Sequence, residues 1–135
     1  MSNQNVDVTP FINTSGQGKD AIVPEIVKNK FNWGAFLLSW IWGIGNKTWI
    51  ALIAPLLPLI PFVGAFAALG FNIWLGIKGN EFAWKNKKFD TVEKFHENQK
   101  IWAIVGIVLF IIGVILYAII AAASIAILGT MQTVK

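Results

Sequence analysis

Residues Ala54–Phe62 read APLLPLIPF, with Pro55, Pro58 and Pro61 set inside one of the most apolar parts of the chain. In an α-helix these prolines would leave the carbonyls of Ala51, Ala54 and Leu57 without amide donors. Each also disfavours helix at the residue before it, namely Ala54, Leu57 and Ile60. Unpaired backbone groups facing lipid cost several kcal/mol each. The stretch therefore belongs near an interface or inside protein. A hairpin tip meets that requirement and is expected here over a single broken span. Pro61 also suits the first turn of a following helix, where its missing N–H costs nothing.

Working outward, the chain carries no charge from Thr48 to Ile77, and again none from Ile101 to Met131. Crossing a bilayer takes about 20 such residues. Of the 135 residues, 56% are hydrophobic and 13% charged, against about 25% charged in soluble domains. The pattern predicts an all-α integral membrane protein. The net charge of +4 comes from lysine alone. Lys28, Lys30 and Lys47 precede the first uncharged block, and Lys78, Lys85, Lys87, Lys88, Lys94 and Lys100 lie between the two. The positive-inside rule puts both groups in the cytoplasm, with an even number of crossings between Lys47 and Lys78. The hairpin arms, about 46–60 and 61–77, are short for full crossings. They thin the bilayer, borrow flanking residues or form a re-entrant pair.

These marks divide the chain. Residues 1–25 read as a disordered polar N-terminal tail, with no basic start and apolar core of a signal peptide. Residues 26–135 read as a single helical membrane domain. Within it, 31–44 is an aromatic interfacial helix, too short to span; 46–78 is the hairpin; 79–100 is a basic cytoplasmic loop and amphipathic helix; and 101–128 is a transmembrane helix with its C-terminus outside. Asp90 and Glu93 have capping-box spacing, with Asp90 as N-cap. The helix that follows places Val92, Phe95, Gln99 and Trp102 on one stripe.

Gly64, Ala68, Asn72 and Gly76 form a ridge of small residues at four-residue spacing, and Gly106 and Gly113 notch the last helix. Small residues let helices approach closely in lipid, so these six are the helix-packing candidates. Asn72 has a second reading, as part of a polar pathway. Lys85, Lys87, Lys88 and Lys94, with Trp33, Trp40 and Trp84, are the lipid-headgroup candidates, diluted by Glu81, Asp90, Glu93 and Glu97. The loop aromatics Phe82, Trp84, Phe89 and Phe95 point to the bilayer surface rather than to nucleic acid, so no nucleic-acid partner is expected. His96 opens HENQK, which lacks the second histidine of a zincin helix. The stretch SGQGKD at 15–20 fails the phosphate-loop spacing. Without cysteine there is no disulfide, thiolate zinc site or cysteine nucleophile. No cofactor, metal site or catalytic residue is expected.

FNWGAFLLSWIWGIGNKTW (Phe31–Trp49) and LGIKGNEFAWKNKKFDTVEKFHENQKIWAIVG (Leu75–Gly106) carry a resemblance. Over about Lys30–Leu116 the chain resembles a family of small bacterial membrane proteins of unknown function. Members sometimes bear an automated ribonuclease label, for which this chain offers no cluster of carboxylates or histidines. The resemblance implies a bacterial integral membrane protein. The leading expectation is a non-enzymatic accessory or scaffold protein of the inner membrane, its partners the bilayer and a second copy or another membrane protein. The rival is a small pore or transport component, holin-like or a channel subunit.

Overall fold

The computed structural model describes residues 12–134, which are helical and without strands. Five α-helices follow in order: α1 (Glu25–Lys28), α2 (Trp33–Leu38), α3 (Trp40–Gly45), α4 (Gly64–Asn86) and α5 (Val92–Thr133). A 3₁₀ arm (Trp49–Leu59) lies between α3 and α4.

The prolines explain that arm. A 3₁₀ helix turns every three residues, and Pro55, Pro58 and Pro61 recur at that interval. Their missing N–H groups thus fall along one edge, and the other positions keep their bonds. The Leu57 carbonyl, expected to be orphaned, accepts the Ile60 N–H at 3.1 Å. The chain then reverses. Val63 N–H donates to the Pro61 carbonyl at 2.8 Å around Phe62, whose φ of 65° is left-handed. A three-residue turn with that sign of φ is rare and strained. The Phe62 side chain is fully exposed at this tip. Asn86, ending α4, donates to Thr48 Oγ1 at 3.2 Å, so the arm and α4 form an antiparallel hairpin. Pro61 sits in the turn rather than in the helix it precedes.

The expected interfacial helix at 31–44 is two short helices instead. Ser39, with φ 36°, separates α2 from α3. Asn32 caps α2, its Oδ1 accepting the Ala35 N–H at 2.8 Å. The end of α3 is a Schellman motif: Thr48 N–H reaches the Gly43 carbonyl (2.8 Å) and Lys47 N–H the Ile44 carbonyl (3.3 Å). Lys47 holds the left-handed position at φ 55°, normally glycine's place. Lys47→Gly is therefore expected to stabilise the fold by about 0.5–1 kcal/mol, read as a raised thermal midpoint in detergent.

Residues 12–25 depart from the expected disordered tail; residues 1–11 of that tail lie outside the described residues. Asn13 Nδ2 donates to the Phe89 carbonyl (2.6 Å), and Ser15 Oγ accepts the Phe89 N–H (2.8 Å). Gly16 N–H donates to the Trp84 carbonyl at 2.8 Å. Gly16 has φ +81°, and a Cβ there would meet Lys88 N at 2.9 Å, so this strap needs glycine. The segment's polar composition hid these contacts because they run through backbone groups some 75 residues away.

The expected loop at 79–100 is mostly helix. α4 continues to Asn86, and α5 starts at Val92. The N-cap is Thr91, one residue after the expected Asp90; Thr91 Oγ1 accepts the Lys94 N–H at 3.1 Å. Gly34, Gly106 and the side chains of Leu37, Leu38 and Trp102 make the α2–α5 contact. The core is aromatic: Trp42, Trp84 and Phe95 are fully buried. Phe89 and Phe95 meet edge to face at 4.9 Å between ring centroids, and Trp84 and Phe95 at 5.5 Å. α5 is long and apolar enough to cross a membrane. From Ile107 onward nearly all of its residues are exposed.

Candidate functional site

Where the short helices meet α4 and α5, the interior is polar without being charged. Asn32 Nδ2 donates to Asn80 Oδ1 (2.8 Å) and Gln99 Oε1 (2.9 Å). Gln99 Oε1 also accepts the Trp42 Nε1–H at 2.9 Å, and Gln99 Nε2 donates to Asn46 Oδ1 at 2.8 Å. Asn80 Nδ2 ends on the Lys30 carbonyl (2.9 Å) and Asn46 Nδ2 on the Trp42 carbonyl (2.9 Å). Four buried amides and an indole are thus paired across α2, α3, α4 and α5. In a low-dielectric interior such a network fixes one arrangement, because any slip strands a polar group.

Beside the network lies a cavity of about 280 Å³, lined by Lys30, Trp33, His96, Lys100 and the edges of Asn32 and Gln99 among others. His96 Nε2 is buried there with no hydrogen-bond partner among the described residues. Burial, and then the Lys30 ammonium, hold the imidazole below its usual range, with Glu93 pulling the other way. The ion pairs among the described residues are Lys28–Glu25, Lys78–Glu81 and Lys85–Glu81. Among the described residues Lys30 and Lys100 thus have no carboxylate partner, and no carboxylate lines the cavity. Further along α2 and α5 runs an apolar groove of about 510 Å³, lined by Trp33, Phe36, Leu37, Ile107 and Phe110.

The packing candidates fall in several settings. A Cβ on Gly64 would meet the carbonyls of Leu57 and Pro58 in the hairpin turn. Gly76 lies against the Phe31 ring, and Gly106 against Leu37 and Leu38. Ala68 and Asn72 are half-buried, and Asn72 Oδ1 has no partner among the described residues. Gly113 faces open space.

The headgroup candidates also divide. Trp33 and Trp40 are exposed on α2 and α3, as are Lys88 and Lys94 near the α4–α5 connection. Lys85 is held by Glu81 at 2.9 Å, a bond that pulls the Glu81 carboxyl below its usual range against the opposing effect of burial. Lys87 Nζ donates to the Gly45 carbonyl (3.2 Å) and lies 5.7 Å from the Phe89 ring centroid. Trp84 is a correction: it is fully buried, and its Nε1–H donates to the Ile22 carbonyl at 3.1 Å. Phe89 and Phe95, expected at a bilayer surface, are buried with it. The physical reason is that α4 runs past its uncharged stretch, so Leu75, Gly76, Gly79, Asn80, Ala83 and Trp84 continue one buried face.

Lys30, Lys100 and the amides Asn32, Asn46 and Asn80 were not legible as a site. Asn80 did carry a signal: it stands four residues past Gly76 on the small-residue ridge, where a surface asparagine would not be. No group of three or more His, Asp or Glu able to hold a metal occurs among the described residues. No family model, curated protein or solved structure matches the chain.

Proposed function

We propose that the chain is a non-enzymatic scaffold or accessory protein of a bacterial inner membrane, as its resemblance to small bacterial membrane proteins also suggests. The observation that carries this reading is its exposed apolar surface. Four paired amides sit buried beside the aromatic core of the helical head, while Leu59, Phe62, Phe66, Leu69, Ile104 and Phe110 are exposed on the hairpin and α5. In water such a surface is far larger than a monomer sustains; in lipid it is the expected one.

The register of α4 and α5 supports a topology. Trp84 packs on Phe95, and Asn80 and Gln99 share the Asn32 amide. The two helices therefore run antiparallel through the head, with Lys78 and Lys100 at about one level. Beyond that level both lose their charges. From Lys78 to Gly64 is about 21 Å of helix, short of the ~30 Å hydrocarbon core. The hairpin is thus re-entrant, and α5 alone crosses, with the head cytoplasmic and the C-terminus outside. The bare face of α5 around Gly113 is where a second copy or a membrane partner packs.

Single cysteines at exposed Gln17, Phe62, Lys88 and Thr133, in this cysteine-free chain, test the proposal with an impermeant thiol reagent on intact cells. Labelling of position 133 alone is expected, with 17 and 88 reacting only after permeabilisation and 62 shielded by lipid. Recovery of the protein in the soluble fraction would sink the reading. Labelling at 62 from outside would replace the re-entrant hairpin with two full crossings.

A second reading, a pore component, is favoured by Asn72 Oδ1 on α4, which has no partner among the described residues. It requires ion flux in liposomes that Asn72→Leu abolishes.

A further inference from the structure

The cavity beside His96 and the apolar groove form one strip. His96, Lys100, Ala103, Ile107 and Phe110 recur every three or four residues and share a face of α5. The first three line the cavity and the last two the groove. Trp33 on α2 lines both. One end of the strip carries two ammonium groups without carboxylate partners, and a buried imidazole nitrogen without a hydrogen bond, among the described residues. The other end is almost wholly apolar.

We propose that this strip holds one anionic phospholipid, its phosphate between Lys30 and Lys100 and within reach of His96 Nε2, and an acyl chain along Trp33, Phe36, Leu37, Ile107 and Phe110. The proposal rests on the membrane reading above. Three observations carry it further than a surface lysine patch would.

The amides of Asn32, Asn80 and Gln99 bond to one another, which leaves His96 and the two lysines as the polar groups free for a ligand. An Nε2–H there donates to a phosphate oxygen, and the ammonium groups supply charge complementarity. The length also matches a lipid leaflet. From His96 to Phe110 is about 21 Å of helix, half of a bilayer about 40–45 Å thick with its headgroups. Finally, Lys100 immediately precedes the uncharged run that begins at Ile101, so the cationic end stands at headgroup depth and the groove at acyl depth. A free phosphate ion has the same head chemistry but leaves the groove without an occupant.

The experiment uses the full-length chain in nanodiscs of phosphatidylcholine, titrated with phosphatidylglycerol bearing brominated acyl chains that quench tryptophan. The expected result is a quenching component that saturates at one lipid per chain, above the non-saturating quenching of lipid-facing tryptophans that brominated phosphatidylcholine gives. The double variant Lys30→Gln/Lys100→Gln is expected to weaken binding about thirtyfold. Lys30→Arg/Lys100→Arg, which keeps the charge, restores it, and Lys19→Gln, an exposed lysine outside the strip and outside the headgroup candidates, leaves it unchanged. Unaltered near-ultraviolet circular dichroism of the glutamine variant guards against a folding effect. Equal quenching by both lipids overturns the proposal. So does displacement of the lipid by millimolar inorganic phosphate, which would mark a free-anion site. Flotation with vesicles separates the two layers of inference. A chain that does not float removes the membrane reading itself, whereas one that floats but shows no preference removes the lipid site alone.

Discussion

Gln99→Leu is expected to destabilise the fold by about 4 kcal/mol. Gln99 is where two elements, α2 and α3, are tied to α5. Its Oε1 accepts from both Asn32 and Trp42, and its Nε2 donates to Asn46. Leucine is close in volume, so the cost is not a cavity. It is the stranding of the Trp42 indole N–H and the Asn46 carbonyl oxygen, both in fully buried residues. A buried polar group left unpaired costs about 1–3 kcal/mol. Asn32 loses one bond but keeps Asn80. Asn98 supplies the control. Its Oδ1 accepts from the same Gln99 amide at 3.2 Å, but it is only half-buried, so Asn98→Ala should cost under about 1 kcal/mol. Equilibrium unfolding in detergent micelles, followed by tryptophan fluorescence, gives both values. Equal midpoints for the two variants would mean that the network is solvated and does not hold α5 to the head.

That network marks the boundary of what could be read beforehand. The hairpin was legible because proline chemistry is local: three missing donors at a spacing of three constrain the backbone whatever surrounds it. The stripe Val92, Phe95, Gln99 and Trp102 was legible for a similar reason, helical period, and its members lie at or against the core, Phe95 and Gln99 buried and Val92 and Trp102 partly so. The break within 31–44 was not legible, since serine gives no warning of a φ of 36°. The burial of Trp84 was also hidden. It follows from α4 outrunning its apolar block, which depends on what packs there, and the packing partner is a polar segment from the opposite end of the chain. The amide site stayed hidden because asparagine and glutamine read as surface residues until their mutual pairing is visible. Lys30 and Lys100, distant in sequence, become neighbours only once α2 lies along α5.

That last contact is itself a tight steric constraint on backbone atoms of α5, and Gly34→Leu is expected to break it. A Cβ at Gly34 would stand 2.7 Å from Trp102 Cβ, 3.0 Å from the Trp102 carbonyl carbon and 3.2 Å from Ala103 N. Two of these are backbone atoms in the middle of α5, which no rotamer change moves aside. Overpacking of a core costs typically 1–3 kcal/mol when neighbours adjust. Here the adjustment is a separation of helices, so the cost should reach the top of that range, about 3 kcal/mol or more. The loss should be local in kind: α2 lifts from α5, opening the groove beside Leu37 and Gly106, while the hairpin, whose Gly64 turn does not involve α5, stays formed. A cysteine pair at Leu37 and Gly106 reports this directly, because a Cβ at 106 lies about 3.1 Å from Leu37 Cβ, close to disulfide range. Oxidation should cross-link the pair in the otherwise native chain and fail with Gly34→Leu. Gly113→Leu is the informative contrast, since nothing lies within 4 Å of that position. It should leave the fold's thermal midpoint unchanged. If Gly113 is a notch for a second helix, the same substitution removes intermolecular cross-links in membranes. One glycine would then govern packing within the chain and the other packing between chains, and a Gly113→Leu protein that still cross-links would move the search for a partner surface to the hairpin.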